Sequence, residues 1–132
     1  MKRTYHGSCH CGTVRFKADL DLSAGTFKCN CELCVKTRMW AAIVKPRDFH
    51  LLAGKDALIE YHPDTNHHLF CKHCGIRPFA WGENPALGGK FYTIRVHCLD
   101  DLDIDELMRG PVTHFDGLHD NYQSAPAETR HL

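Results

Sequence analysis

The sequence predicts a mainly β fold, and three observations carry that prediction. Short segments in which apolar and polar residues alternate recur along the chain, cut by Gly, Pro and Asp. Helical periodicity is scarce. Seven of the eight cysteines fall into three tight groups at the turns between those segments, where a metal ion can tie short strands together.

The elements follow in chain order. After a turn at Gly12, "TVRFKADL" alternates along its length. "MWAAIV", "FHLLAG", "ALIEYH", "HHLFC", "RPFAWG" and "KFYTIRVHCL" read as further short strands. The one helix signal is "DIDELMRG", with acidic residues in its first turn and Gly110 and Pro111 as its stop. The closing "VTHFDGLHDNYQSAPAETRHL" is polar and weakly patterned and is expected to lie extended over the body. No repeat, linker or low-complexity tract divides residues 1–132, so one domain is expected, large enough for a single modest core.

Charge narrows the classes of function. Sixteen basic residues balance sixteen acidic ones, and no block of like charge stands out. Such a chain advertises no nucleic-acid or membrane partner. Its start, "MKRTYHGSCHCG", has no apolar signal region, and the longest apolar run, "MWAAIV", is far below the roughly 20 residues of a membrane span. A soluble, cytoplasmic protein is expected.

That location decides how the cysteines are read. Where thiols are held reduced, clustered cysteines serve as metal ligands or redox centres rather than as disulfides. Cys9 and Cys11 in "GSCHCG" and Cys71 and Cys74 in "FCKHCG" supply a pair from one turn and a pair from a distant one, the usual construction of a closed, tetrahedral zinc site. Zinc there would tie the start of the chain to its middle. Gly12 and Gly75 suit turns whose amides point at the sulfurs. His10 and His73, which stand between ligands, admit a mixed Cys and His site, although the cysteine set is complete without them.

The middle group, Cys29, Cys31 and Cys34 in "CNCELC", has three thiols and no evident fourth. Three protein ligands and an open position describe a catalytic zinc site, whose open position can take water or an incoming thiol. Three thiolates leave the ion weakly acidic toward water but able to hold a thiol as thiolate, with Lys28, Lys36 and Arg38 near enough to offset the charge.

At these residues the chain resembles the glutathione-dependent formaldehyde-activating family, whose named activity is S-(hydroxymethyl)glutathione synthase and whose relatives include centromere protein V. "GSCHCGTVRF", "CNCELCVK", "FCKHCGIRPF", "GGKFYTIRVHCLD" and "SAPAETRHL" carry the likeness in that order over nearly the whole chain. The resemblance implies a β-tent fold of small antiparallel sheets joined through zinc. It implies a structural zinc on Cys9, Cys11, Cys71 and Cys74, and a reaction-site zinc on Cys29, Cys31 and Cys34. It also exposes two departures: where the family carries a Ser and a Gly, this chain has Glu32 and Arg38, both expected on the path of an incoming thiol.

The expectation is therefore a two-zinc carbon–sulfur lyase that adds glutathione or a similar thiol reversibly to formaldehyde or another small aldehyde. The other reading is a non-enzymatic zinc module whose second site is closed by Cys98, a histidine or a partner. Cys98 itself reads first as a strand residue filling a core, and second as a fourth ligand or resolving thiol. His67 and His68 are strand and surface histidines or acid–base groups. Trp40, Trp81 and the Phe residues near Pro78 read as core rather than as a platform for substrate.

Overall fold

The structure is a computed structural model and describes residues 1–132. Ten strands form two sheets. β1 (Arg3–Ser8), β2 (Arg15–Leu20) and β5 (Phe49–Ala53) make a three-stranded antiparallel sheet in the order β1-β2-β5. The seven-stranded sheet adds β3 (Thr26–Cys29), β4 (Ala41–Val44), β6 (Leu58–Tyr61), β7 (His67–Cys71), β8 (Phe79–Asn84), β9 (Gly89–Arg95) and β10 (Val112–Phe115), in the order β10-β3-β4-β9-β8-β7-β6. Only β10 and β3 run parallel; every other pair is antiparallel.

Alternation sorts the side chains between the two sheets. Along β2, Phe16, Ala18 and Leu20 are buried while Arg15, Lys17 and Asp19 lie outward. They meet Phe79 and Ile94 from β8 and β9. Phe49 centres the contact: its ring centroid is 4.7 Å from that of Phe79 and 4.2 Å from that of Tyr92, and the Tyr92 stack is nearly parallel at 17°. Each fully buried aromatic or aliphatic side chain here contributes about 1.5–3 kcal/mol.

Two short helices complete the chain. α1 (Glu32–Lys36) starts at Cys31, whose sulfur caps it by accepting from the Cys34 amide, and α2 (Ile104–Arg109) starts at Asp103, whose carboxylate accepts from the Glu106 amide. α2 lies where the sequence places its helix. α1 falls inside the cysteine triplet and has too few residues for a periodic signal.

Several expectations meet the structure differently. The stretch "KFYTIRVHCL" stops being a strand at Arg95, and Val96–Cys98 is a 3-10 turn, so Cys98 is not a strand residue. The tail is not merely extended: Val112–Phe115 pairs in register with Thr26–Cys29. β1 is polar at Arg3, Thr4, His6 and Ser8 and β3 is short, and they become strands through pairing rather than through their own pattern. No helix is long and apolar enough to cross a membrane.

Candidate metal centres

The first and third cysteine groups meet where the two sheets meet. Cys9 and Cys11 sit on the loop from β1 to β2, while Cys71 ends β7 and Cys74 lies in the turn beyond it. Their four Sγ atoms lie within 4.8 Å of one another. Cys9 Sγ is 3.6 Å from Cys11 Sγ, which is 3.7 Å from Cys71 Sγ. Sulfurs about 2.3 Å from a central ion stand about 3.8 Å apart in a tetrahedron, so this spacing suits one metal ion.

Local backbone makes that gathering possible. Gly12 and Gly75 adopt φ of +80° and +75°, which glycine takes without the clash a Cβ would bring. The reversals let the Val14 amide donate to Cys9 Sγ at 3.3 Å and the His73 amide to Cys71 Sγ at 3.4 Å. Donation from the backbone of Cys11 brings the Cys74 thiol down to about 6, whereas burial pushes Cys9 up to about 11. Four thiols so close cannot all ionise without a compensating cation, and a soft dication is what four sulfurs select. His10 and His73 are exposed and stand outside the sulfur cluster.

The middle group forms a second cluster of three. Cys29 is the last residue of β3, Cys31 caps α1 and Cys34 lies within it, and their Sγ atoms also fall within 4.8 Å. The amides of Cys31 and Cys34 donate to Cys29 Sγ at 3.4 Å and to Cys31 Sγ at 3.5 Å. The Cys34 thiol, ahead of these amides, brings Cys29 down to about 6. The same bond, with burial, pushes Cys34 upward. A single ionised sulfur among three is what a cluster lacking a cation can sustain; a thiophilic dication would let all three ionise. No histidine, carboxylate or further cysteine joins this set.

Cys98 is elsewhere. Its thiol is pushed up to about 11 by burial, and its Sγ faces the Arg77 carbonyl at 3.9 Å, among side chains packed on the main core. His67 is sandwiched between His62 and Trp81, with ring centroids 4.0 and 3.7 Å away, and faces Glu60. His68 faces Asp64. Neither reaches the triplet.

One side of the triplet is covered by the tail. A Cβ on Gly117 would stand 2.5 Å from Cys29 Sγ and 3.2 Å from the Tyr122 hydroxyl, so only glycine fits between them. Asn30 fixes this segment, donating to Asp116 Oδ1 at 2.8 Å and accepting from the Leu118 amide at 2.9 Å. Gly117 and Tyr122 escaped the sequence reading because only the β10–β3 pairing brings them to the cysteines; Asn30 stands between Cys29 and Cys31, but its partners Asp116 and Leu118 arrive through the same pairing.

The other side opens on a cavity of about 210 Å³, lined by Cys29 and Cys34 together with Lys28, Arg38, Trp40 and His97. Trp40 therefore forms a wall of the site and not simply core; the Lys28 ammonium lies over its ring at 4.5 Å, and His97 meets it edge-on at 5.5 Å. His131 and Leu132 close the rim. Of the two departures, Arg38 reaches this cavity and Glu32 does not. Glu32 faces solvent and pairs with Lys36 at 2.7 Å.

Comparison with known proteins agrees with this arrangement. A crystal structure of a Rhodobacter sphaeroides protein is similar in fold, with a TM-score of 0.68 and 27% identity, covering 82% of this chain and 99% of that one. Residues 4–115 match the model of the glutathione-dependent formaldehyde-activating enzymes. With both cysteine clusters and the intervening strands inside the matched span, the chain belongs to the glutathione-dependent formaldehyde-activating enzyme family.

Proposed function

We propose that residues 1–132 act as one zinc-binding domain, a cytoplasmic carbon–sulfur lyase of the S-(hydroxymethyl)glutathione synthase type. It adds a thiol such as glutathione reversibly to formaldehyde or another small aldehyde. Family membership implies glutathione-dependent formaldehyde activation. The observation that carries the reading for this chain is the three-sulfur set of Cys29, Cys31 and Cys34, which lacks a fourth side-chain ligand and borders a cavity.

Cys9, Cys11, Cys71 and Cys74 would hold one zinc and Cys29, Cys31 and Cys34 the other; both all-sulfur donor sets suit that metal. Zinc bound at the triplet supplies a Lewis acid that favours the thiolate form of a substrate thiol at neutral pH. The chain's residues do the rest. Trp40 and Met39 give the cavity an apolar wall that limits water around the reacting pair. The Lys28 and Arg38 side chains set a positive potential where negative charge builds on the aldehyde oxygen. In the addition the thiol gives its proton to water, sulfur attacks the carbonyl carbon, the C=O π pair moves to oxygen, and that oxygen takes a proton from water or from an imidazole N–H of His97, which the released proton then restores. The reverse sequence cleaves the hemithioacetal.

Exchange spectroscopy of glutathione with formaldehyde tests the proposal. Zinc-loaded protein is expected to raise the exchange rate above the spontaneous one, and Cys34→Ser is expected to return it to that rate. Equal rates with and without the parent protein would remove the assignment.

A further inference from the structure

Arg38 occupies a conformation that its side chain disfavours. Its φ is +54°, one of two left-handed non-glycine residues in the chain, and it follows directly on the end of α1. Left-handed backbone costs a residue with a Cβ roughly 1–2 kcal/mol, and such strain gathers at ligand clamps and active sites. Arg38 Nη1 donates to the His131 carbonyl at 2.9 Å. That is the guanidinium's single protein partner, so most of its N–H fork is uncommitted at the cavity rim.

The surroundings of Arg38 are one-sided in charge. Lys28 is the second cation of the cavity; it rests on the Trp40 ring and pairs with no carboxylate. His97 and His131 add two imidazoles, and no Asp or Glu side chain lines the cavity. Lys36, one turn away on α1, is by contrast matched by Glu32. Cations left unmatched in a walled cavity beside a reactive cluster suit a ligand that brings its own negative charge.

We propose that Arg38 and Lys28 form a carboxylate subsite that selects thiols bearing a carboxylate within a few bonds of the sulfur. This rests on the thiol-accepting reading of the triplet and names the class of thiol it takes. Arg38 presents a fork that can hold a carboxylate through two parallel hydrogen bonds, and Lys28 adds a point charge to the same lining. A cavity of about 210 Å³ encloses a thiol of a few carbons. The left-handed φ of Arg38 closes α1, the Arg38 and Met39 amides donating to the Val35 and Cys34 carbonyls, and sets where the guanidinium leaves the helix end.

Calorimetric titration of the zinc-loaded protein with mercaptoacetate and with mercaptoethanol tests this, the two thiols being alike in size and different in charge. Cobalt-loaded protein gives a second readout through sulfur-to-metal charge transfer. Mercaptoacetate is expected to bind at least about tenfold more tightly, with the ratio narrowing as salt is raised. Arg38→Gly, which suits the backbone, and Lys28→Gln are each expected to remove most of that preference, lowering mercaptoacetate affinity well beyond any change in mercaptoethanol affinity. Equal affinities in the parent, or a preference that survives both substitutions, would overturn the subsite while leaving the thiol-accepting site in place. Silence toward both thiols would overturn the thiol-accepting reading itself.

Discussion

The Sγ atoms of Cys11 and Cys71 lie 3.7 Å apart although 60 positions separate them in the chain. Cys11 belongs to a loop of the three-stranded sheet and Cys71 to a strand of the seven-stranded one, so whatever binds this cluster fastens the two sheets together. A structural zinc contributes on the order of 10 kcal/mol of folding free energy, comparable with the whole stability of a small domain, about 5–15 kcal/mol. Cys74→Ser is expected to leave a largely unfolded or aggregated chain short of one zinc. Circular dichroism and metal analysis would check it, and a well-folded variant with undiminished zinc would refute the structural role.

The triplet should behave otherwise. Cys29, Cys31 and Cys34 span six positions of β3 and α1, and closing so short a loop removes little entropy from the unfolded chain. Cys34→Ser is expected to lose one zinc and thiol–formaldehyde exchange while its thermal midpoint falls by less than about 5 °C. Were it to unfold as completely as Cys74→Ser, both clusters would have to be structural.

Far from either cluster, the Tyr5 hydroxyl donates to Glu106 Oε2 at 2.8 Å inside the core, with Arg3 Nε 3.8 Å from the same oxygen. Burial first, and then Glu106, push the Tyr5 hydroxyl from 10.0 up to about 12. A raised folded value means that the folded chain keeps this proton after the unfolded chain has released it. The Tyr5 contribution is therefore intact below pH 10 and is lost as pH rises from there toward about 12. Tyr5→Phe is expected to cost about 1–3 kcal/mol at neutral pH, because Glu106 is left with Arg3 alone. Its deficit against the parent should shrink through the alkaline window in denaturant titrations. A deficit independent of pH would show that the hydroxyl does not titrate as described.

How much of this was legible before folding depended on the range of the interaction. Cysteine spacing is local, so the two clusters and their division into four and three could be read from "GSCHCG", "CNCELC" and "FCKHCG". The alternation in "TVRFKADL" likewise survives as the buried face of β2. Gly117 could not be found this way, because its place against Cys29 follows from a parallel strand pair and from Asn30 bonding Asp116 across 86 positions. Trp40 sits in an apolar run and reads as core; only the turn after α1 places one face of it on a cavity. The charges at positions 32 and 38 look equivalent in sequence, yet Glu32 pairs with Lys36 away from the cavity and Arg38, exposed after the left-handed turn, stands at its rim.

That difference separates two substitutions. Glu32 is exposed and absent from the cavity wall, so Glu32→Ser is expected to leave glutathione and mercaptoacetate affinity within about twofold of the parent, a surface ion pair of this kind contributing little. Calorimetric titration would check it. A marked gain in glutathione affinity would put Glu32 on the thiol's path after all.

Replacing Arg38 in two ways isolates the strain in its backbone. Arg38→Gly and Arg38→Ala both remove the bond to the His131 carbonyl, so that loss cancels in their comparison. What remains is the left-handed φ of +54°, which alanine adopts with a Cβ clash and glycine without one. In most positions glycine is the less stable of the two, because it loses more conformational entropy on folding. Here the order is expected to reverse, with the glycine variant more stable by about 1 kcal/mol in denaturant titration. An alanine variant equal to or more stable than the glycine variant would mean that position 38 carries no strain, and the guanidinium's place at the cavity would then need no backbone distortion to explain it.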